Sequence, residues 1–322
     1  MELIIKPTGL CNFSCEFCSA HGMDIQHPSD GHVPQQIKDL IKKLKPNGLI
    51  ITGGEPLMVS PEYYYELHDI AHCPIAPTTN LKDFCLNPDK WAPLFKEDWF
   101  NITTSFNYGE TRRWSPDKVY TEHDFIHVLA QLRAYTGKSI DSFIAVIDES
   151  NEEFAHDHVD LAKTLGCKVR LNGAIGVGKQ GKTYPRYKMM KIYLEIIDND
   201  MDQYECNCFE RTQGKCPWNI GLRCQNCIRC CYVDNSGKLH VGTCDERMSM
   251  GIELLEDQII PTTCEETPIN PQEYIKPECA YCELCRLCNG CHTNRQEAKK
   301  DPDYCEEMKK LEDQIIDAGW IL

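Results

Sequence analysis

The sequence is short of positive charge, of long apolar runs and of any export signal. Lys and Arg number 34 against 49 Asp and Glu, a formal net charge of −15. That balance excludes a general nucleic-acid binder, which carries a basic footprint, while leaving room for a local basic pocket. No stretch approaches the ~20 apolar residues of a membrane span. The opening MELIIKPTGL has neither the basic start nor the apolar core of a secretory signal. The expectation is a cytoplasmic protein with no membrane and no nucleic-acid partner; its oligomeric state is left open. At 322 residues the chain can bury a full core, with room for one large domain and a smaller one.

Against this background stand 21 cysteines. In an exported chain they would read as a disulfide framework; in a reducing compartment, CxxC-type spacings read as metal ligands. Cys11, Cys15 and Cys18 fall together in CNFSCEFCSAHG, while Cys73, Cys85 and Cys167 are scattered. The scattered three read as small buried residues. The remaining fifteen lie between Cys206 and Cys305. Three thiols near the N-terminus are one short of a zinc tetrad and one too many for a disulfide. They suit a metal centre that keeps one position open. His21 as a fourth ligand would make a zinc site instead.

The cysteine distribution divides the chain into residues 1–200 and 201–322. In the first region ELIIK (2–6), GLIIT (48–52), PIAPTT (74–79), NITTSF (101–106), SFIAVI (142–147) and KVRLN (168–172) read as strands, PIAPTT being weakened by its prolines. Helical patterns separate them at 34–44, 61–71, 121–135 and 156–165, and another follows at 186–198. Such alternation predicts an α/β fold with parallel strands and crossover helices. Six strands are too few for the eight-fold barrel, so an open, partial (β/α)6 barrel is expected, with ligands at the C-terminal ends of its strands.

The motifs fall at those ends. The three cysteines follow the first strand. TGGEP (52–56) follows the second, its glycines permitting close backbone approach and Glu55 able to accept from an amino group. Asn80 follows the third strand, Ser105 to Asn107 the fourth, and the glycine-rich RLNGAIGVGKQGK (170–182) closes the sixth. Simple loop capping would account equally for Ser105 and Asn107, and a structural ion pair for Arg170.

A Cx3CxΦC motif with Phe17 before its last cysteine, followed by GGEP after the next strand, resembles the radical S-adenosylmethionine superfamily over about residues 1–200. The resemblance implies a [4Fe–4S] cluster on Cys11, Cys15 and Cys18, with its fourth iron open for S-adenosylmethionine. In that family a low-potential electron, supplied by a flavodoxin- or ferredoxin-type reductant, cleaves the cofactor to a 5′-deoxyadenosyl radical that abstracts a substrate hydrogen. By the same resemblance Gly53, Gly54 and Glu55 hold the methionine amino group and Phe17 lies near the adenine. Asn80, Ser105, Asn107, Arg170, Gly173 and Ile175 are candidates for the carboxylate, ribose and adenine.

In the second region VDNSGKLHVGTC reads as a β-hairpin delivering Cys244. Cysteines before a hairpin, one after it, a dense CxxC group and a last one after DPDY resemble the SPASM domain, found in anaerobic sulfatase-maturating enzymes and peptide maturases. The expectation is a small cysteine-rich hairpin-and-helix domain with two auxiliary [4Fe–4S] clusters. Cys224, Cys230, Cys244 and Cys291 would hold one, and Cys279, Cys282, Cys288 and Cys305 the other. Such clusters would stabilise a stretch with little apolar core. Only two residues separate Cys288 from Cys291, where the family usually has three, and Cys227, Cys231 and Cys285 are extra thiols. Cys206, Cys208 and Cys216, with one more cysteine, could make a zinc site. Asp245 matches the position of a general base for side-chain oxidation in the sulfatase-maturating enzymes; capping of the hairpin end is its plainer role.

The resemblance implies hydrogen abstraction from a peptide or protein side chain, ending in oxidation, crosslinking or epimerisation. A start at residue 11 leaves no room ahead of the motif for a leader-gripping domain, which keeps a radical dehydrogenase of a small metabolite in play. A non-catalytic iron–sulfur or zinc module is the alternative of another class.

Overall fold

A computed structural model of the chain describes residues 2–212, 228–242, 284 and 301–319. Six parallel strands form its frame: β1 (Glu2–Ile5), β2 (Gly48–Ile51), β3 (Ile75–Thr79), β4 (Thr103–Ser105), β7 (Ser142–Ile147) and β8 (Lys168–Gly173), in that spatial order. All six strands read from the sequence are present. Pro77, the residue that weakened the third, leaves a break in the β3–β4 ladder. Pairing is bridged at Ile75–Phe100 and resumes at Thr78–Thr103, as a residue without an N–H requires.

The helices α1 (Gln35–Leu44), α2 (Pro61–Ala71), α5 (Glu122–Thr136) and α6 (Ala155–Leu165) are the crossovers expected from periodicity, and α7 (Arg186–Asp198) follows the last strand as expected. α5 starts at a capping box: the Asp124 N–H donates to the Thr121 hydroxyl and the Thr121 N–H to the Asp124 carboxylate. Two helices the sequence reading did not foresee, α3 (Lys82–Leu86) and α4 (Pro88–Lys96), fill the β3–β4 crossover; α4 buries Trp91, Leu94 and Phe95 although it contains Pro93. A hairpin of β5 (Arg113–Ser115) and β6 (Lys118–Val119) was also missed.

Strand alternation divides the sheet into two unlike faces. Leu3, Ile5, Leu49, Ile51, Ile75, Phe143 and Val169 are fully buried against the helices. Their neighbours Ile4, Ile50, Ala76, Ile144 and Arg170 line the other face and stay half-buried. The core thus lies between sheet and helices, and the opposite face lines an open lumen.

The second region continues this frame at both edges. β9 (Ile228–Val233) pairs in parallel with β1, and β10 (Leu239–Gly242) pairs antiparallel with β9, so the expected hairpin completes an eight-stranded sheet. Its turn is closed by the Asp234 N–H donating to the Lys238 carbonyl, with Gly237 at φ 83°. At the far edge Glu205 bridges to Val169 of β8, and α8 (Cys206–Thr212) follows it. The C-terminal segment forms α9 (Tyr304–Lys310) and α10 (Glu312–Asp317); Tyr304 packs edge-on against Tyr187 of α7 at 5.7 Å.

Candidate functional site

The loop that leaves β1 carries Cys11, Cys15 and Cys18, and three other segments grip it. The first is the GGEP turn after β2. The Gly54 N–H donates to the Thr8 carbonyl (2.9 Å) and the Glu55 N–H to the Leu10 carbonyl (2.7 Å). Gly53 adopts φ 117°, and a Cβ on Gly54 would lie 2.1 Å from the Leu10 oxygen. The two loops therefore meet backbone to backbone, which only glycine allows.

The second grip comes from the β5–β6 hairpin. The Ser14 and Glu16 N–H groups donate to the carbonyls of Arg113 (3.1 Å) and Thr111 (2.8 Å), and Arg113 pairs with Glu16 at 2.9 Å. Phe13 packs against Trp114 and Tyr120. The third is the glycine-rich turn after β8: the Lys179 N–H donates to the Cys18 carbonyl at 2.9 Å, and a Cβ on Gly178 would lie 2.3 Å from that oxygen.

The thiols are all free. Cys11 keeps solvent on one side, yet the protein packed around its sulfur desolvates it. Its thiol is pushed up to about 12 by that desolvation, with the charges of Glu55, Cys15 and Cys18 adding to it, while the Phe13 N–H donates to its sulfur at 3.4 Å. Desolvation also raises Cys18, and Cys15 adds to it. With Cys11 and Cys18 desolvated and Cys15 beside them on the same loop, three thiols need a cationic partner to ionise together. An iron–sulfur cluster is such a partner, so the donor set fits it. Among the described residues no three His, Cys, Asp or Glu groups are arranged to hold a metal ion. A four-iron cluster takes each thiolate on a separate iron, so its ligands need not converge on one point.

Glu55 is fully buried. One carboxylate oxygen accepts from the Leu57 N–H (3.0 Å) and the Thr79 hydroxyl, the other from the Asn80 N–H (2.8 Å). Burial outweighs these donors and raises its pKa to about 6. Asn80 spans to the cysteine loop: its amide donates to the Asn12 side chain (2.8 Å) and lies 4.0 Å from the Cys11 sulfur.

Sequence reasoning missed Arg112, the most conspicuous group in the site. It is 4% exposed and donates from Nη2 to the Ser105 hydroxyl at 2.7 Å. Its guanidinium lies 5.2 Å from the Phe13 ring centroid and 5.7 Å from that of Tyr120, and its charge reaches Glu55. Its Nε has no hydrogen-bond partner, and among the described residues no carboxylate pairs with it. A buried guanidinium with no carboxylate in direct contact is costly, and a site shaped for a carboxylate accounts for one. Nothing in TRRW marks Arg112 out; the hairpin that places it was itself not foreseen.

The other expected contacts are placed differently. Phe17 is buried on the cysteine loop. The Asn107 amide is committed to β7, donating to the Val146 carbonyl (2.6 Å) and accepting from its N–H (3.5 Å). Arg170 donates to Asn207 (2.9 Å) at the outer edge of β8. Gly173 sits under Met189, and the Ile175 N–H donates to Gln180 within its own turn. The structure thus brings the three cysteines, Gly53, Gly54, Glu55, Asn80 and Ser105 around one loop and ties Asn107 and Arg170 into the scaffold.

Of the cysteines expected to hold auxiliary clusters, Cys230 and Cys305 are described; Cys224, Cys244, Cys279, Cys282, Cys288, Cys291 and Asp245 lie outside the described residues. Cys230 sits beside Ile4 on the lumen face of β9, and Cys231 beside Ile5 on the helix side. Both are fully buried; burial pushes the Cys231 thiol well up, and Cys231 packs into the hydrophobic core. Cys305 is half-buried on α9. Cys206 and Cys208 are buried two residues apart on α8, about 200° around the helix, so they do not face a common ion. Of the scattered cysteines Cys73 and Cys167 are buried as expected, and Cys85 is half-buried.

A partial parallel barrel with a three-cysteine loop braced by a glycine turn defines the class. Residues 5–162 match the family model described as the Radical SAM superfamily, and with them the chain belongs to that superfamily. No curated protein matches. Among solved structures the chain is similar to native anSMEcpe with bound AdoMet and Cp18Cys peptide (15% identity, 98% of this chain and 96% of that one, TM-score 0.66). It is also similar to Streptococcus suis SuiB bound to S-adenosylmethionine (14%, 94% and 74%, TM-score 0.61) and to SuiB bound to its precursor peptide SuiA (15%, 94% and 73%, TM-score 0.58). At these identities the likeness is one of fold. Among the described residues no helix is long and apolar enough to cross a membrane.

Proposed function

We propose that this radical S-adenosylmethionine enzyme modifies a peptide or protein side chain, and that two auxiliary clusters assist it. The observation that carries the reading is the loop of three free cysteines clamped by three other segments, the donor set of a cluster with one open iron. When bound, the cluster and cofactor supply the electron and the 5′-deoxyadenosyl radical that removes a substrate hydrogen.

The chain's own residues bind and orient. The N–H groups of Gly54 and Glu55 are spent on the cysteine loop. The amino end of the cofactor would therefore be held on the carbonyl side of Gly53–Gly54, with the buried charge of Glu55 behind it. Arg112, braced by Ser105, would take the carboxylate, and Phe17 would offer an apolar wall to the adenine. Asn80, Gly173 and Ile175 remain candidates for the ribose and adenine edges, with Asn107 and Arg170 acting through the scaffold. Cys224, Cys230, Cys244 and Cys291 are assigned to one auxiliary cluster and Cys279, Cys282, Cys288 and Cys305 to the other, with Asp245 as the base. The lumen-side position of Cys230 supports its membership. A peptide substrate is supported by the fold shared with two proteins solved with peptides bound. A low-potential flavodoxin- or ferredoxin-type protein is the proposed reductant.

The test is iron, sulfide and zinc per chain after anaerobic purification, on wild type and the C11A/C15A/C18A variant, with cofactor cleavage assayed in both. About twelve irons falling to about eight, with all cleavage lost, is expected for three four-iron clusters. About four falling to none, with zinc present, overturns the auxiliary clusters.

A further inference from the structure

In a chain of net charge −15, two lysines from different elements reach the cysteine loop without a carboxylate partner among the described residues. Lys82 opens α3. Its ammonium donates to the carbonyl of Asn12, the residue after Cys11, at 2.9 Å, and to that of Trp114 at 2.6 Å. It lies 5.0 Å from the Trp114 ring centroid and 5.7 Å from that of Phe13. The Cys11 charge acts on it, opposing the desolvation that lowers its pKa. Lys179 sits on the glycine-rich turn whose N–H holds the Cys18 carbonyl, and its charge acts on Cys18. One lysine thus belongs to each end of the loop, Lys82 beside the residue after Cys11 and Lys179 on the turn that holds Cys18.

We propose that Lys82, with a smaller contribution from the exposed Lys179, sets the reduction potential of the cluster on Cys11, Cys15 and Cys18. The inference rests on the cluster reading above. One-electron reduction adds a negative charge to an already anionic assembly, with no bond made or broken. A fixed cation lowers the cost of that charge, and more so when desolvated. Lys82 acts through the thiolates and is a positioning residue for charge; the simpler role is a tie between hairpin and loop.

The experiment uses the full chain, reconstituted anaerobically and titrated with titanium(III) citrate. The paramagnetic signal followed is the one that changes when S-adenosylmethionine is added. K82Q keeps a donor but loses the charge; K82R keeps the charge. K82Q is expected to retain its iron and show an about tenfold lower ratio of reduced to oxidised cluster at fixed poise, ~59 mV for one electron. K82R should stay within about twofold of wild type, and K179Q should fall about two- to threefold in the same direction. An unchanged ratio in K82Q would reduce Lys82 to a tie and overturn the proposal. Should K82Q shed its iron, K179Q decides, because that side chain is exposed and ties nothing; no shift there overturns the proposal as well. A wild-type protein with no cofactor-responsive signal would instead overturn the cluster reading itself.

Discussion

On one side of β1 the chain runs on into the loop of Cys11, Cys15 and Cys18; on the other lies β9 with Cys230 and Cys231. The loop thiols owe their position to backbone contacts with three separate segments, two of them too close for an ordinary side chain at Gly54 and Gly178. The strand thiols owe theirs to sheet register alone, one beside Ile4 and one beside Ile5. A loop can turn all three sulfurs toward a shared partner but needs outside bracing. A strand needs no bracing but sends neighbouring side chains to opposite faces, so adjacent cysteines cannot share a role. Cys230 and Cys231 thus face opposite sides of the sheet from neighbouring positions of one strand.

The largest effect expected is at the brace. Gly54→Ala would force the GGEP turn off the Leu10 carbonyl, and iron content at the loop should fall by about four atoms with loss of cofactor cleavage. A variant with full iron and activity would show that the loop holds its shape unaided. Next is the pair on β9. Cys230→Ala should remove about four irons while leaving those of the loop. Cys231→Ala should keep all iron and cost about 1 kcal/mol of stability for a small buried group, read by thermal unfolding. Equal iron loss in both would break the face argument.

Arg112→Met should weaken S-adenosylmethionine binding about 10- to 100-fold by calorimetry, the worth of a charged hydrogen bond of about 1.5–3 kcal/mol. Arg112→Lys should recover part of it. A last effect, on stability and not on the cluster, concerns the joint at β8. Burial raises Glu205 from 4.5 to about 7, with Leu171 and Cys208 N–H groups and Arg170 opposing. The folded chain therefore holds a proton there that the unfolded chain releases above pH 4.5. Stability falls as pH rises from 4.5 through 7, by up to about 3 kcal/mol. Glu205→Gln should flatten this slope in melting temperatures between pH 5 and 8; an unchanged slope would show that Glu205 is not its source.

By itself the sequence determined the six strands, five of the helices, the hairpin and the cysteine motif with its glycine turn. These are read from periodicity and short spacing, which are properties of neighbouring residues. Tertiary structure decided the rest. Whether Cys230 or Cys231 meets the lumen depends on register with β1, more than 200 residues away in the chain. Asn107 and Arg170 look like ligands from their place at strand ends, yet β7 and α8 claim their side chains. α3 and α4 were hidden by a prolyl helix of mixed pattern. Arg112 became visible only once the β5–β6 insertion folded over the cysteine loop and buried its charge, because burial is set by what packs against a residue and not by its neighbours in sequence.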